Sequence, residues 1–65
     1  MVFDYRSAAD RVGIQPEDLA RLTTMARAEL PSDEMMVELH VLRTILAVER
    51  GAVTMEEILR PRAAA

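Results

Sequence analysis

The chain has 65 residues, which is one domain at most, and a domain this small buries only about 60% of its unfolded surface. It has no cysteine and one histidine, which excludes disulfides, thiolate metal sites and a multi-histidine site within one chain, so its stability depends on packing or oligomerisation. A net charge of −3 with mixed signs argues against a general nucleic-acid or anionic-membrane binder, and without a spanning segment or a signal peptide we expect a soluble cytoplasmic protein.

The first predicted helix spans residues 4–12. Asp4 is a good N-cap, because its carboxylate accepts hydrogen bonds from the free N–H groups of the first turn. Gly13 follows the last turn, where a left-handed residue closes a helix without steric cost, as in a Schellman closure. The apolar face at helical spacing comprises Tyr5, Ala8, Ala9 and Val12.

The second predicted helix spans residues 16–30. Pro16 suits the first helical position, where its missing N–H costs nothing. Glu17 and Asp18 in the first turn complement the positive end of the helix dipole. Pro31 disfavours helical geometry at Leu30, so the helix ends there or one residue earlier.

The segment from residue 8 to 22 resembles a helix-turn-helix motif. Ala9 precedes Gly13 by four positions, Ile14 follows the glycine, and Leu19 and Leu22 are the apolar anchors. The resemblance implies a DNA-binding regulator with a recognition helix that starts near Pro16.

The charges on this second helix do not suit a DNA reader. Glu17 and Asp18 lie at its exposed start, where they would repel phosphates. DNA binding is therefore the alternative hypothesis, and its contacts would come from Gln15, Arg21 and Thr24.

The third predicted helix spans residues 33–50, with Ser32 as its N-cap and Gly51 after its end. It is the longest helical pattern and carries two apolar stripes. One stripe contains Met35, Leu39, Leu42 and Leu46, and the other contains Val37, Val41, Ile45 and Val48. A helix with two stripes is central to a bundle, or packs on its own core with one stripe and on a partner with the other.

A twofold dimer through this helix would cover the second face. Val41 and Ile45 are the favoured seam, because β-branched residues suit paired helices. Met36 lies outside both stripes and is a candidate exposed contact. The predicted interface comprises Met36, Val37, Val41, Ile45 and Val48.

The fourth predicted helix spans residues 54–60. Thr54 as N-cap and Glu57 three residues later form the sequence pattern of a capping box. Pro61 limits the helix, and we expect the tail over residues 61–65 to fray.

No residue set indicates catalysis or metal binding. His40 has no nucleophile or carboxylate placed by sequence to form a triad with it. Glu34 and Glu38 are four residues apart, but neither is followed by histidine at the spacing of di-iron helices. We therefore expect no enzyme activity, no cofactor and no metal site.

These observations predict one all-α domain over residues 1–65, a small four-helix bundle with a long central third helix that self-associates, most simply as a dimer. The predicted function is a protein-interaction or regulatory module, without a membrane segment. The first alternative is the helix-turn-helix DNA-binding regulator. A further alternative is an enzyme or metal protein whose site is completed only across an oligomer.

Overall fold

The computed structural model describes residues 3–60, and this part of the chain is all-α, as the sequence predicts. Its four helices are α1 (Tyr5–Val12), α2 (Pro16–Glu29), α3 (Glu34–Glu49) and α4 (Met55–Leu59). None of these helices is long and apolar enough to cross a membrane. The tail over residues 61–65, where fraying is predicted, lies outside the described residues.

The predicted ends of α1 are confirmed. Asp4 Oδ1 accepts a hydrogen bond from the Ser7 N–H at 3.1 Å, which satisfies one free donor of the first turn. Gly13 has a φ of 87°, and the Ile14 N–H donates to the Ala9 carbonyl at 2.9 Å. This is the Schellman closure, in which the left-handed residue returns the chain over the last turn.

The start of α3 differs from the prediction by one residue. Asp33, not Ser32, is the N-cap, and its Oδ1 accepts a hydrogen bond from the Met36 N–H at 3.1 Å. Either side chain could supply a capping oxygen. The helix begins at Glu34, so Asp33 is the residue directly before it and caps the Met36 N–H three residues later. At the other end, Gly51 has a φ of 80° and repeats the Schellman pattern.

The capping box of α4 is formed. Thr54 Oγ1 accepts from the Glu57 N–H at 3.1 Å, and Glu57 Oε1 accepts from the Thr54 N–H at 3.3 Å. Because two N–H groups are satisfied reciprocally, a helix of only five residues begins at a defined point.

Helices α1 and α2 both pack against α3, and α4 packs against α2. The Phe3 N–H donates to Glu38 near the start of α3, and Arg11 bonds Glu49 at its end. Helix α1 therefore runs beside α3 in the same direction. Small residues on α1 and α2 allow the helices to approach α3 closely. The buried core comprises Tyr5, Ala8, Ala9, Leu22, Ala26, Val37, Val41 and Ile45.

Candidate interaction surface on the third helix

The two apolar stripes of α3 lie in different surroundings. Val37, Val41 and Ile45 are 2%, 0% and 0% exposed and belong to the core, while Val48 is half-buried. A dimer seam through these three residues does not fit this fold, because they already pack within the chain. Their β-branched side chains suit a helix seam, but the seam that they form is intramolecular. Of the predicted interface residues on α3, Met36 alone is exposed, with 41% of its surface accessible.

The other stripe is only partly exposed, and one of its members, Leu42, packs against the core. Met35 is 55% exposed and Leu46 is 36% exposed, and Leu39 and Leu42 between them are half-buried. We call these four residues the outer stripe. Met36 lies beside it with 41% of its surface exposed. Helix α3 therefore presents a continuous line of aliphatic side chains that the described part of the chain covers only in part.

Charged residues border the outer stripe on both sides. Arg43 on α3 and Arg50 at its C-cap are both exposed. They are seven residues apart and therefore lie on the same edge of the stripe. Neither guanidinium has an ion-pair partner among residues 3–60. Glu38 lies on the other edge, where its Oε1 accepts a hydrogen bond from the Phe3 N–H at 3.0 Å. The stripe is thus flanked by positive charge on one edge and negative charge on the other.

Two ion pairs connect the ends of α3 to its neighbours. The Arg11 guanidinium bonds both carboxylate oxygens of Glu49, at 2.9 and 3.0 Å, and this hydrogen bonding lowers the pKa of the Glu49 carboxyl. Arg27 bonds Glu34 at 3.0 Å. Both pairs are solvent-exposed, so each contributes little to stability, but they use intramolecular partners and leave the outer stripe uncovered.

The three residues predicted to contact DNA are exposed on α2 or directly before it. Gln15 precedes the helix without a capping hydrogen bond from its side chain. The Thr24 hydroxyl donates to the Ala20 carbonyl of its own helix. Arg21 borders a shallow groove between α2 and α4 that also contains Asp18 and Glu56. The base-reading candidates are therefore accessible, and the groove beside Arg21 holds both carboxylates and Arg60, which pairs with Glu56.

His40, Glu34 and Glu38 do not converge on one site. His40 is exposed, whereas Glu34 bonds Arg27 and Glu38 accepts from the Phe3 N–H. Within residues 3–60, no group of three histidine, aspartate or glutamate side chains is placed to hold a metal ion. The most distinctive feature of the described surface is therefore the outer stripe rather than a polar cluster.

The sequence indicates both stripes, and the predicted seam lies on the stripe whose Val37, Val41 and Ile45 are buried in the core. Spacing alone does not separate the two stripes, because both repeat at three or four residues along the helix. Met35, Leu39, Leu42 and Leu46 are separated by four, three and four residues, which is the alternation of a heptad seam.

A scan against protein-family models, a search of curated proteins and a search of solved structures each found no match to this chain.

Proposed function

We propose that this chain is a protein-interaction module that acts as a homo-oligomer, most simply a twofold dimer, and that the outer stripe is its contact surface. The observation that carries the proposal is the partial exposure of four aliphatic side chains in one line on the longest described helix, from Met35 to Leu46. Monomeric proteins expose single apolar side chains routinely, but a continuous line of them is typical of a contact surface.

The energy available at this surface favours a weak, reversible contact. Complete burial of a Leu or Met side chain is worth about 1.5–3 kcal/mol, so the exposed fractions of Met35 and Leu46 correspond to roughly 1.5–2.5 kcal/mol per chain. Two copies gain roughly twice that, with smaller additions from the half-buried Leu39 and Leu42. Association costs at least about 4 kcal/mol in lost freedom. The gain barely exceeds this cost, so we expect a dissociation constant of about 1 mM or weaker.

Such an affinity suits a module that responds to its own concentration. The dimer forms where copies accumulate or are held close together, and it dissociates on dilution. This concentration dependence is the regulatory property that the proposal assigns to the chain.

Sedimentation equilibrium tests the proposal over about 0.1 to 5 mM, the range in which so weak a dimer begins to form. Wild type should change from monomer to dimer, and Leu46→Glu should remain monomeric with unchanged helical circular dichroism. Met25→Glu is the matched control, because Met25 is similarly exposed at 40% but lies on α2. A wild-type monomer at the highest concentration, or a Leu46→Glu variant that associates like wild type, would overturn the proposal.

DNA binding remains a second candidate, supported by the turn between α1 and α2. Ala9 is buried at 1% exposure and Gly13 has the left-handed conformation, as the helix-turn-helix pattern requires. A binding selection with random duplexes tests it. If the candidate is correct, Arg21→Ala should weaken binding and Gln15→Ala should relax its specificity. We expect wild type to show only non-specific, salt-sensitive binding, and recovery of a preferred sequence would rank this candidate first.

A further inference from the structure

We infer that two copies associate with their α3 helices parallel and in register, so that Glu38 of each copy pairs with Arg43 of the other. The inference rests on the proposed self-association through the outer stripe and defines its geometry. It follows from the order of apolar and charged residues along α3.

The spacing of the outer stripe sets a heptad frame. Steps of four, three and four residues place Met35 and Leu42 at d positions and Leu39 and Leu46 at a positions. The next d position is Glu49, which is bonded to Arg11 of its own chain. The seam therefore ends at Leu46, after about two heptads.

The heptad frame also places the edge residues. Each e position follows a d residue, so Met36, Arg43 and Arg50 form one edge. Each g position precedes an a residue, which places Glu38 and Ile45 on the other edge. Ile45 is buried in the core, so Glu38 is the charged group of that edge.

The edge charges distinguish the two possible orientations. In a parallel pair, a g residue faces the e residue five positions further along the partner, which brings Glu38 to Arg43 on both sides of the seam. In an antiparallel pair, e edges face each other and g edges face each other. That orientation gathers Arg43 and Arg50 of both copies on one side and both Glu38 carboxylates on the other. Like charges in contact disfavour this arrangement.

The two groups of the proposed pair are already positioned. The Phe3 N–H holds Glu38 Oε1 at 3.0 Å, which fixes the carboxylate at the junction of α1 and α3. A carboxylate accepts several hydrogen bonds, so a guanidinium from the partner is compatible with the contacts that Glu38 already makes within its own chain. Arg43 is exposed and has no ion-pair partner within residues 3–60.

Disulfide trapping tests the orientation, because the chain has no native cysteine. Met35→Cys and Leu46→Cys are prepared as two single variants and oxidised in a glutathione buffer, each alone and then mixed. Disulfides need Cα atoms within about 7 Å. In the parallel dimer each variant should cross-link to itself. In an antiparallel dimer centred on the stripe, the two positions face each other, and only the mixture should cross-link.

The outcomes separate this inference from the proposed function. Self-cross-linking of both variants supports the parallel dimer. Cross-linking in the mixture alone overturns the parallel geometry and leaves self-association intact. A dimeric mass without any cross-link overturns the seam. A monomeric mass at all concentrations overturns both the inference and the proposed function.

Charge reversal provides a second measurement that does not alter the seam. Arg43→Glu should weaken dimerisation roughly five- to tenfold, because both ion pairs become repulsive contacts. Arg50→Glu is the matched control, since its counterpart across a parallel seam is the buried Ile45, and its dissociation constant should change less than about twofold. Equal effects of the two reversals would contradict the Glu38–Arg43 pair.

Discussion

Adjacent substitutions at Ile45 and Leu46 should have very different effects on the stability of the monomer. Ile45 is 0% exposed and belongs to the core, whereas Leu46 is 36% exposed in the outer stripe of α3. Replacing a buried Ile by Ala costs about 2–5 kcal/mol, from lost burial and the cavity left behind. Leu46→Ala should cost about 1 kcal/mol, because solvent already reaches the side chain and no closed cavity forms.

The loss expected for Ile45→Ala is a substantial share of the total free energy of unfolding. Domains have about 0.05–0.15 kcal/mol of stability per residue, which for this chain is roughly 3–10 kcal/mol. Each 1 kcal/mol shifts the melting temperature of a domain this size by about 4–8 °C. Ile45→Ala should therefore lower it by about 10–30 °C, and Ile45→Val by a few degrees.

Urea unfolding followed by circular dichroism measures these differences, and Tyr5 fluorescence provides a second probe from the core. At low concentration, Ile45→Ala should be much the more destabilising of the two changes. At high concentration, the cost of Leu46→Ala should increase, because the dimer contact is lost as well. Equal losses at low concentration, or a larger loss for Leu46→Ala, would refute the assignment of core and outer faces.

Three further predictions concern local features of the fold. Thr54→Ala should cost about 1 kcal/mol and Glu57→Ala less, and in urea unfolding the double variant should lose less than their sum because both residues belong to one capping box. Gly13→Ala should cost about 1–2 kcal/mol, because alanine is strained at a φ of 87° although its Cβ meets no atom within 4 Å; unchanged thermal stability would show that the turn differs in solution. Arg11 holds the pKa of Glu49 below its ordinary value of 4.5, so this stabilisation is present above that pH and is lost as the pH falls through the lower folded pKa. Glu49→Gln should reduce the acid dependence of stability, and an unchanged pH profile would contradict the ion pair.

The helix ends were predictable because their determinants are local. Asp4, Gly13, Pro16 and Thr54 each act within one turn of the chain, and each occurs where the sequence places it. The predicted N-cap of α3, Ser32, is wrong by one residue because the local signal is ambiguous there. Two adjacent residues can both cap a helix, and the choice of Asp33 depends on the path of the preceding turn.

The assignment of the core face was not predictable in the same way. Both stripes of α3 are aliphatic and both have helical spacing, so the local pattern is equally good for each. The choice depends on where α1 and α2 lie, and contacts such as Phe3 with Glu38 join residues far apart in the sequence. Nothing in a single window of sequence encodes that placement.

The path of α1 has a consequence for the order in which the fold assembles. The contacts that hold α1 to α3, Phe3 with Glu38 and Arg11 with Glu49, span 35 and 38 residues of sequence. The ion pair of Arg27 with Glu34, which links α2 to α3, spans only seven residues. Contacts that close short loops form first, because less chain entropy is lost before they are made. We therefore expect α2 and α3 to form the initial hairpin, and α1 to dock last onto Val41 and its neighbours. Helix α4 buries no residue and packs on α2, so its amide hydrogens should exchange with solvent before those of α1, which contributes Tyr5, Ala8 and Ala9 to the core.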